Sequence, residues 1–500
     1  MMNQMAACLQ DSWEFTPTPD PSPQEGGELG GDVGKSPSPL WGGVRGGGIA
    51  ARHCQAIMPV GAALAARLFV AFCFLFAVTG FASAEMKIQE VTSSKGVKAW
   101  LVEDYSVPII AIRFAFDGGS SQDPVGKEGL TNLMSGLFDE GAGDLDSETF
   151  QVRLDDAGAE MGFSEGRDAL YGSMRMLADQ KDEAFELLRL AVNQPRFDQP
   201  PLDRIRSQIV AGILASQRTP EAKAREMWSK ALYGTHPYAR KGDGTAETLA
   251  SITAEDLKAS HTAMFARDNL HVGVVGAIDA ETLKGLLDKV FGDLPEKARL
   301  TPVPDVQLKL DQTVRVPYEQ PETSIQMAYP GVARSDPEFF AAFLMNHILG
   351  GGTFTSRLFD EVREKRGLVY SVDSGLATSA HSNALTISTA TRSDRAAETL
   401  KVIQDTVARM AAEGPTEAEL EAAKKYVIGA YAINNLDTSG SIARTLVELQ
   451  LDKLGADYMQ RRADIINAVT IDQVKAAAKK LLTAKPAVMI LGPETPGSGG

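Results

Sequence analysis

Holding a catalytic metal on a helix takes two imidazoles on one face, about four positions apart, and a carboxylate able to take a proton from the bound water. The six histidines of this 500-residue chain are His53, His236, His261, His271, His347 and His381, and no two are three to five apart. His347 sits beside a glycine run and reads as a packing residue. Nucleotide chemistry is no better served. The run GGGTFTS lacks the lysine of a phosphate-binding loop, and no nucleophile elbow or dinucleotide fingerprint is present. The stretch NHILGGGTFTSRLFDEVREKRGLVYSV at 346–372 holds an arginine and a tyrosine seven positions apart, Arg363 and Tyr370. In isolation they read as a solvated helix charge and a core aromatic.

The elements that would position this pair are legible. An apolar helix end (Phe343, Leu344, Ile348, Leu349) stops at Gly350-Gly351-Gly352, where the missing Cβ lets the backbone turn. A second helix is expected to begin near Thr353 to Ser356, to carry Leu358, Phe359 and Val362 at helical spacing, and to end at Gly367. Beyond it Leu368, Tyr370 and Val372 alternate with smaller or polar residues, as in one strand of a half-buried sheet.

The ordered series of three glycines followed by S-R-L-F-x-E-V-R-E-K-R-G-L-x-Y-S-V resembles the C-terminal half of pitrilysin/insulinase-type zinc peptidases, including the mitochondrial processing peptidase subunits. In that family an Arg and a Tyr seven positions apart reach the substrate held at the zinc. The resemblance places them at Arg363 and Tyr370, where they would hydrogen-bond the scissile carbonyl as charge develops on it. Active members carry His-x-x-Glu-His on the first helix of the first half. Here Asn132, Ser135 and Gly136 occupy those places. Asn offers a weakly basic oxygen in place of imidazole, Ser has no pKa suited to a general base, and Gly offers nothing. The helix expected to supply the third ligand, 206–220, contains no Asp or Glu. The segment GAEMGFSEGRDALYGSMRML resembles the family's substrate-binding edge strand, which places Gly162, Phe163 and Ser164 on that strand, with Gly162 where active members usually have Asn. THPYARKGDGT resembles a structural loop of the family, which makes His236 a hydrogen-bonded loop residue, and Asp139-Glu140 read as a surface pair.

A formal charge of −15 argues against nucleic acid and anionic membrane as partners. Residues 1–57 are Pro/Gly/Ser-rich without a hydrophobic period and read as disordered, a gene-model extension of a chain that starts at Met58. Residues 58–84 have the layout of a secretory signal peptide: Arg67, then LFVAFCFLFAVTGF, then Ala82-Ser83-Ala84. Its apolar core falls short of the roughly 20 residues that span a bilayer. Cys8, Cys54 and Cys73 all precede the expected cut, so the mature chain has neither disulfide nor cysteine metal site.

From Glu85 onward, one order of elements is read twice. Strands, a short helix, a strand pair, long helices, and a closing helix and strand (ITAEDLKASHTAMF, LHVGVVG) recur in the second half, which closes on VTIDQVKAAAKKLL and AVMILG. The fold class expected is α+β: two homologous halves, each a mostly antiparallel sheet with packed helices, forming a clam-shell. The expected domains are 85–294, with the degenerate metal site, a proline-bearing linker at 295–322, 323–492, with the Arg/Tyr motif, and a disordered tail at 493–500.

The resemblance implies the metal-free subunit of an exported, periplasmic, heteromeric zinc metalloendopeptidase. This chain would bind no metal and supply Arg363 and Tyr370; a paralogue bearing His-x-x-Glu-His would supply the zinc. Peptides or unfolded proteins would be the substrate. The alternative is a non-catalytic peptide-binding or scaffold protein of the same fold, with an autonomous zinc peptidase as a third reading.

Overall fold

The computed structural model describes residues 86–494, so the segments 1–57 and 58–84 and most of the tail 493–500 lie outside the described residues. Six strands form the first sheet: β1 (Gln89–Thr92), β2 (Lys98–Glu103), β3 (Ile109–Asp117), β4 (Glu160–Glu165), β5 (Ala169–Leu177) and β6 (Leu270–Gly276), in the spatial order β1-β2-β6-β3-β5-β4. The helices of this half are α1 (Leu130–Ser135), α2 (Ser147–Asp156), α3 (Lys181–Asn193), α4 (Gln199–Ser216), α5 (Pro220–Tyr233), α6 (Ala246–Ser251), α7 (Ala254–Met264) and α8 (Ala280–Phe291). The second sheet has β7 (Gln312–Pro317), β8 (Glu322–Pro330), β9 (Val369–Thr378), β10 (Asn383–Arg392) and β11 (Ala487–Gly492), in the order β7-β11-β8-β10-β9. Its helices are α9 (Phe339–Asn346), α10 (Ala396–Glu413), α11 (Glu417–Asn435), α12 (Ser439–Leu451), α13 (Tyr458–Asn467) and α14 (Ile471–Leu482).

With β1 set aside, the two sheets have the same order and the same directions. β2 runs parallel to β6 and β7 to β11, and the other neighbours are antiparallel. The duplication and the α+β class read from the sequence are therefore those of the structure. Even the closing helices share a start: Thr253 and Asp256 cap α7 reciprocally, as Thr470 and Gln473 cap α14.

Each sheet buries one face against its own helices. In the first half Ile110, Ile112, Phe114 and Phe116 of β3 point into a core shared with Leu133, Phe138, Phe185 and Phe291. In the second, Ile325, Met327 and Tyr329 of β8 meet Leu344, Val407 and Leu481. The opposite faces are covered by an exchange. Helix α5 of the first half lays Ala224, Trp228 and Leu232 on Val316, Ala328, Met489 and Leu491 of the second sheet. Helix α12 of the second half packs Val447 against Ala115 and Ala169 of the first. Small residues let α12 approach closely: a Cβ on Gly273 would lie 2.6 Å from the Ala443 carbonyl oxygen. The Gln450 amide then acts as a strand partner, donating to the Val272 carbonyl (2.9 Å) and accepting from its N–H (3.3 Å).

One boundary differs from the sequence reading. The segment 295–322 is not linker throughout, because 312–317 form β7 beside β11 and Glu322 opens β8. The prolines that suggested a linker leave QTVRVP free to pair, with Pro317 at its end, where a missing N–H costs least. Among the described residues no helix is long and apolar enough to cross a membrane.

Candidate functional site

The helix that resembles the family's metal-binding segment is short. Gly129, at φ 93°, precedes α1, and the Asp123 carboxylate accepts from Gly129 N, Thr131 N and Thr131 Oγ1 at 2.9, 3.0 and 2.6 Å. Burial is the largest influence on Asp123 and pushes it up to about 6 against these donors. The Ser135 hydroxyl donates to the Asn132 carbonyl at 2.8 Å, back into its own helix. Gly136 faces α4, where an added Cβ would sit 3.0 Å from Ile205 Cγ2. The residues at these positions do not fit a zinc ion: they offer no imidazole, and an isoleucine methyl stands where a ligand at 136 would begin. Among the described residues no group of three or more His, Cys, Asp or Glu is placed to hold a metal.

Asp139 and Glu140 do not form the surface pair read from the sequence. Arg204 and the Ser147 hydroxyl bond Glu140, whose side chain is only 12% exposed, and burial raises the pKa of Asp139. Of the described histidines, His261, His271 and His347 lie apart, each with its own neighbours, whereas His236 and His381 both flank the Tyr238 ring, at 4.8 and 6.2 Å. His261 bonds the Val192 carbonyl (2.8 Å), His271 faces Asp117 (3.2 Å) and His347 stacks on Tyr426 at 5.1 Å. His236 bonds the Pro304 carbonyl at 2.8 Å, and His381 faces Asp305 at 3.1 Å. Burial lowers the pKa of both His261 and His347.

Gly162, Phe163 and Ser164 lie on β4, the outermost strand of its sheet, paired on one side with β5. The free edge presents backbone donors and acceptors to an incoming strand. Phe163 points to the core, stacked on Phe138 at 4.3 Å. Gly162 and Ser164 point to the other face, and a Cβ at 162 would meet nothing within 4 Å.

The structure brings Arg363 and Tyr370 together. The Arg363 guanidinium carbon lies 5.4 Å from the centroid of the Tyr370 ring and 4.7 Å from that of Phe359. Two backbone irregularities present them. The helix expected from Thr353–Ser356 to Gly367 is a 3-10 turn at Thr353–Thr355 followed by a helical segment that widens to a π-helix over Phe359–Glu364, where Lys365 N bonds the Asp360 carbonyl five residues back (2.9 Å). Gly367, at φ 59°, ends it. In β9, Val372 pairs with Thr389 but Val369 with Thr391, so Tyr370 and Ser371 share one opposing residue in a β-bulge. Both face solvent, and Tyr370 is 85% exposed where the alternation had suggested half-burial.

Arg363 is also the motif cation with the weakest ion pairing. Arg357 makes a bidentate pair with Glu419 (2.7 and 2.7 Å), while Lys365 and Arg366 bond Glu361 at 2.9 and 2.7 Å. Arg363 has only a 3.8 Å approach to Glu364. Hydrogen bonding to Arg357 brings Glu419 down to about 2, and Lys365, then Arg366 and Arg409, do the same for Glu361. The glycine run has a second purpose: a Cβ on Gly350 would lie 2.8 Å from Ser374 N, so its absence lets the turn press against β9.

The sequence reading missed a polar tie between the edge hairpins. Tyr238, 1% exposed, donates its hydroxyl to Asp168 in the β4–β5 turn (2.7 and 2.6 Å) and accepts from His381 N in the β9–β10 turn (3.1 Å). Asp168 also accepts from Ala380 N at 3.1 Å. The tyrosine of THPYAR was in view, but nothing local announced partners 70 and 143 residues away.

A family profile described as the peptidase M16 inactive domain matches residues 251–427. A Bacillus subtilis protein named as an uncharacterized zinc protease, YmxG, is 24% identical over 407 residues, covering 81% of this chain and 98% of that protein. A Helicobacter pylori protein named a non-peptidase homolog, also YmxG, is 26% identical over 373 residues, 73% of this chain and 84% of its own. The crystal structure of a peptidase M16 inactive domain from Pseudomonas fluorescens superposes with a TM-score of 0.77 at 31% identity, covering 82% of this chain and 98% of that one. The periplasmic protease PqqL from Escherichia coli shares the fold at 17% identity and a TM-score of 0.69, over 82% of this chain and 46% of PqqL.

Proposed function

This chain belongs to the M16 peptidase family, and we propose that it is the non-metal-binding subunit of an exported heteromeric zinc metalloendopeptidase. The observation that carries the proposal is an asymmetry between halves. At the degenerate motif the Ser135 hydroxyl bonds the Asn132 backbone carbonyl and Ile205 crowds position 136, whereas Arg363 and Tyr370 are held together on the surface by a π-helix and a bulge.

In this reading a paralogue bearing His-x-x-Glu-His supplies zinc and general base, and the two chains enclose the substrate like a clam-shell. A zinc ion held by the paralogue's two histidines and a glutamate would supply a deprotonated water and polarise the scissile carbonyl. Arg363 and Tyr370 donate hydrogen bonds to the carbonyl oxygen as negative charge builds on it. The backbone of Gly162–Ser164 aligns the peptide by adding it to the sheet. Export rests on the signal-like segment 58–84, and the likeness to a protein described as periplasmic is compatible with it.

The test is reconstitution. The purified chain is mixed with a same-fold paralogue that has an intact metal motif, and zinc and hydrolysis of unfolded protein are measured for each chain and for the mixture. Activity confined to the mixture, and lost in Tyr370→Phe, supports the proposal; a Tyr370→Phe mixture at full rate overturns the role of that residue. A second reading, a peptide-binding scaffold without chemistry, is favoured by the name of the Helicobacter pylori relative. It requires peptide binding with no paralogue-dependent hydrolysis.

A further inference from the structure

Sheet register puts a row of residues across the face of the first sheet away from its core: Arg113 of β3 lies opposite Ser173 of β5, and Ser173 opposite Gly162 of β4. Helix α12 covers this face over β6 and β3 and reaches β5 at its start, at Ala169 and Tyr171. Beyond it, Ser173 is half-buried, and Gly162 contributes no side chain and has open space above it. The row is a shallow trough running in from the free edge of β4 to the Arg113 guanidinium.

Arg113 is unusually placed for a cation. Its guanidinium carbon stacks 5.1 Å from the centroid of the Tyr171 ring, which carries the charge one strand toward the edge. Its Nε is shut off from water and has no hydrogen-bond partner among the described residues. No carboxylate among those residues lies within ion-pair distance; Glu448 of α12 stands farther off, and Arg444 brings a second guanidinium near. Burial and then Arg444 lower the pKa of Arg113, as expected of a cation short of counter-charge.

We propose that Arg113 is a specificity-determining residue, receiving the carboxylate of a glutamate side chain from an extended peptide paired to β4. Strands lie about 4.8 Å apart, so a peptide added to β4 runs roughly 10 Å from β5, over which the guanidinium sits. A glutamate on the trough-facing side, lying flat over Gly162 and Ser173, covers about half of that span, and a charge-assisted hydrogen bond of about 3 Å to a guanidinium nitrogen that projects toward the edge covers most of the rest. The carboxylate then supplies the counter-charge that the guanidinium lacks. This inference rests on the edge-strand part of the function proposed above.

Fluorescence anisotropy of labelled extended peptides, identical except for Glu or Gln at successive positions, tests it on the full-length chain. At one register Glu is expected to bind about tenfold more tightly than Gln. Arg113→Gln should abolish that preference and leave the Gln peptide unchanged. Gly162→Val, which has room for its side chain, should abolish it by filling the trough while Arg113 stays in place. Equal binding of both peptides at every register by the wild type overturns the glutamate site and leaves the edge reading standing. Binding of no peptide overturns the edge reading and this inference with it.

Discussion

Arg363 and Tyr370 meet because each is displaced from regular geometry. The π-helix at 359–364 brings the guanidinium over the Phe359 and Tyr370 rings, and the bulge at 370–371 turns the phenol outward. A guanidinium on an aromatic face keeps its in-plane N–H groups free for an acceptor.

Tyr370→Phe and Arg363→Gln are therefore expected to separate rate from stability. Tyr370 is 85% exposed and Arg363 lacks a close ion pair, so thermal melting should move little. Hydrolysis by the reconstituted pair should fall by roughly 100- to 1,000-fold. Melting curves and initial rates on the same preparations check both.

Restoring the metal motif should not restore a metal. In the triple variant Asn132→His, Ser135→Glu, Gly136→His, the imidazole at 136 has to displace Ile205, whose methyl lies 3.0 Å from the added Cβ, and α4 has no carboxylate between 206 and 216 to complete the set. Overpacking of this kind costs about 1–3 kcal/mol. Elemental analysis is expected to find well under one zinc per chain, and urea denaturation a lower midpoint.

Gly273→Ala should loosen the joint between the halves. Its Cβ would lie 2.6 Å from the Ala443 carbonyl oxygen and 2.8 Å from Leu446 Cβ, so helix and strand must separate, at a cost of about 1–3 kcal/mol. Hydrogen exchange should rise first along α12 and β6.

Acid should weaken the scaffold of the Arg/Tyr motif. Glu361 and Glu419 are both brought down to about 2 from an ordinary 4.5, so the stability they contribute is present above pH 4.5 and is lost as pH falls toward 2. Arg357→Met removes the partner of Glu419. The difference in denaturation midpoint between wild type and this variant should be largest near pH 6 and shrink below pH 4.

Much of this arrangement could be read in advance. The two-fold repeat of elements and the helix ahead of Gly367 follow from local periodicity and glycine placement, and the edge position of β4 from the family resemblance of its segment. Helices α5 and α12 were not marked out by the sequence. Each buries its apolar residues against the other half's sheet, a partner that local patterning does not reveal. The bulge did leave a trace: Val369 and Val372 are both buried but three apart, which strict alternation does not allow. The trough at Arg113 left none, since a lone arginine in IIAIRFAFD names neither its ring partner nor its open side.

The exchange of α5 and α12 gives the chain a property of a non-covalent dimer. The only covalent bridge between the halves is the segment 295–311 ahead of β7, irregular and largely exposed, with Lys297 and Arg299 both at the surface. Trypsin cutting there would yield two fragments that still co-elute as one particle, each holding a helix the other cannot release without baring the back of its sheet. Either fragment made alone would lack that lining, and would be expected to aggregate until its complement was added.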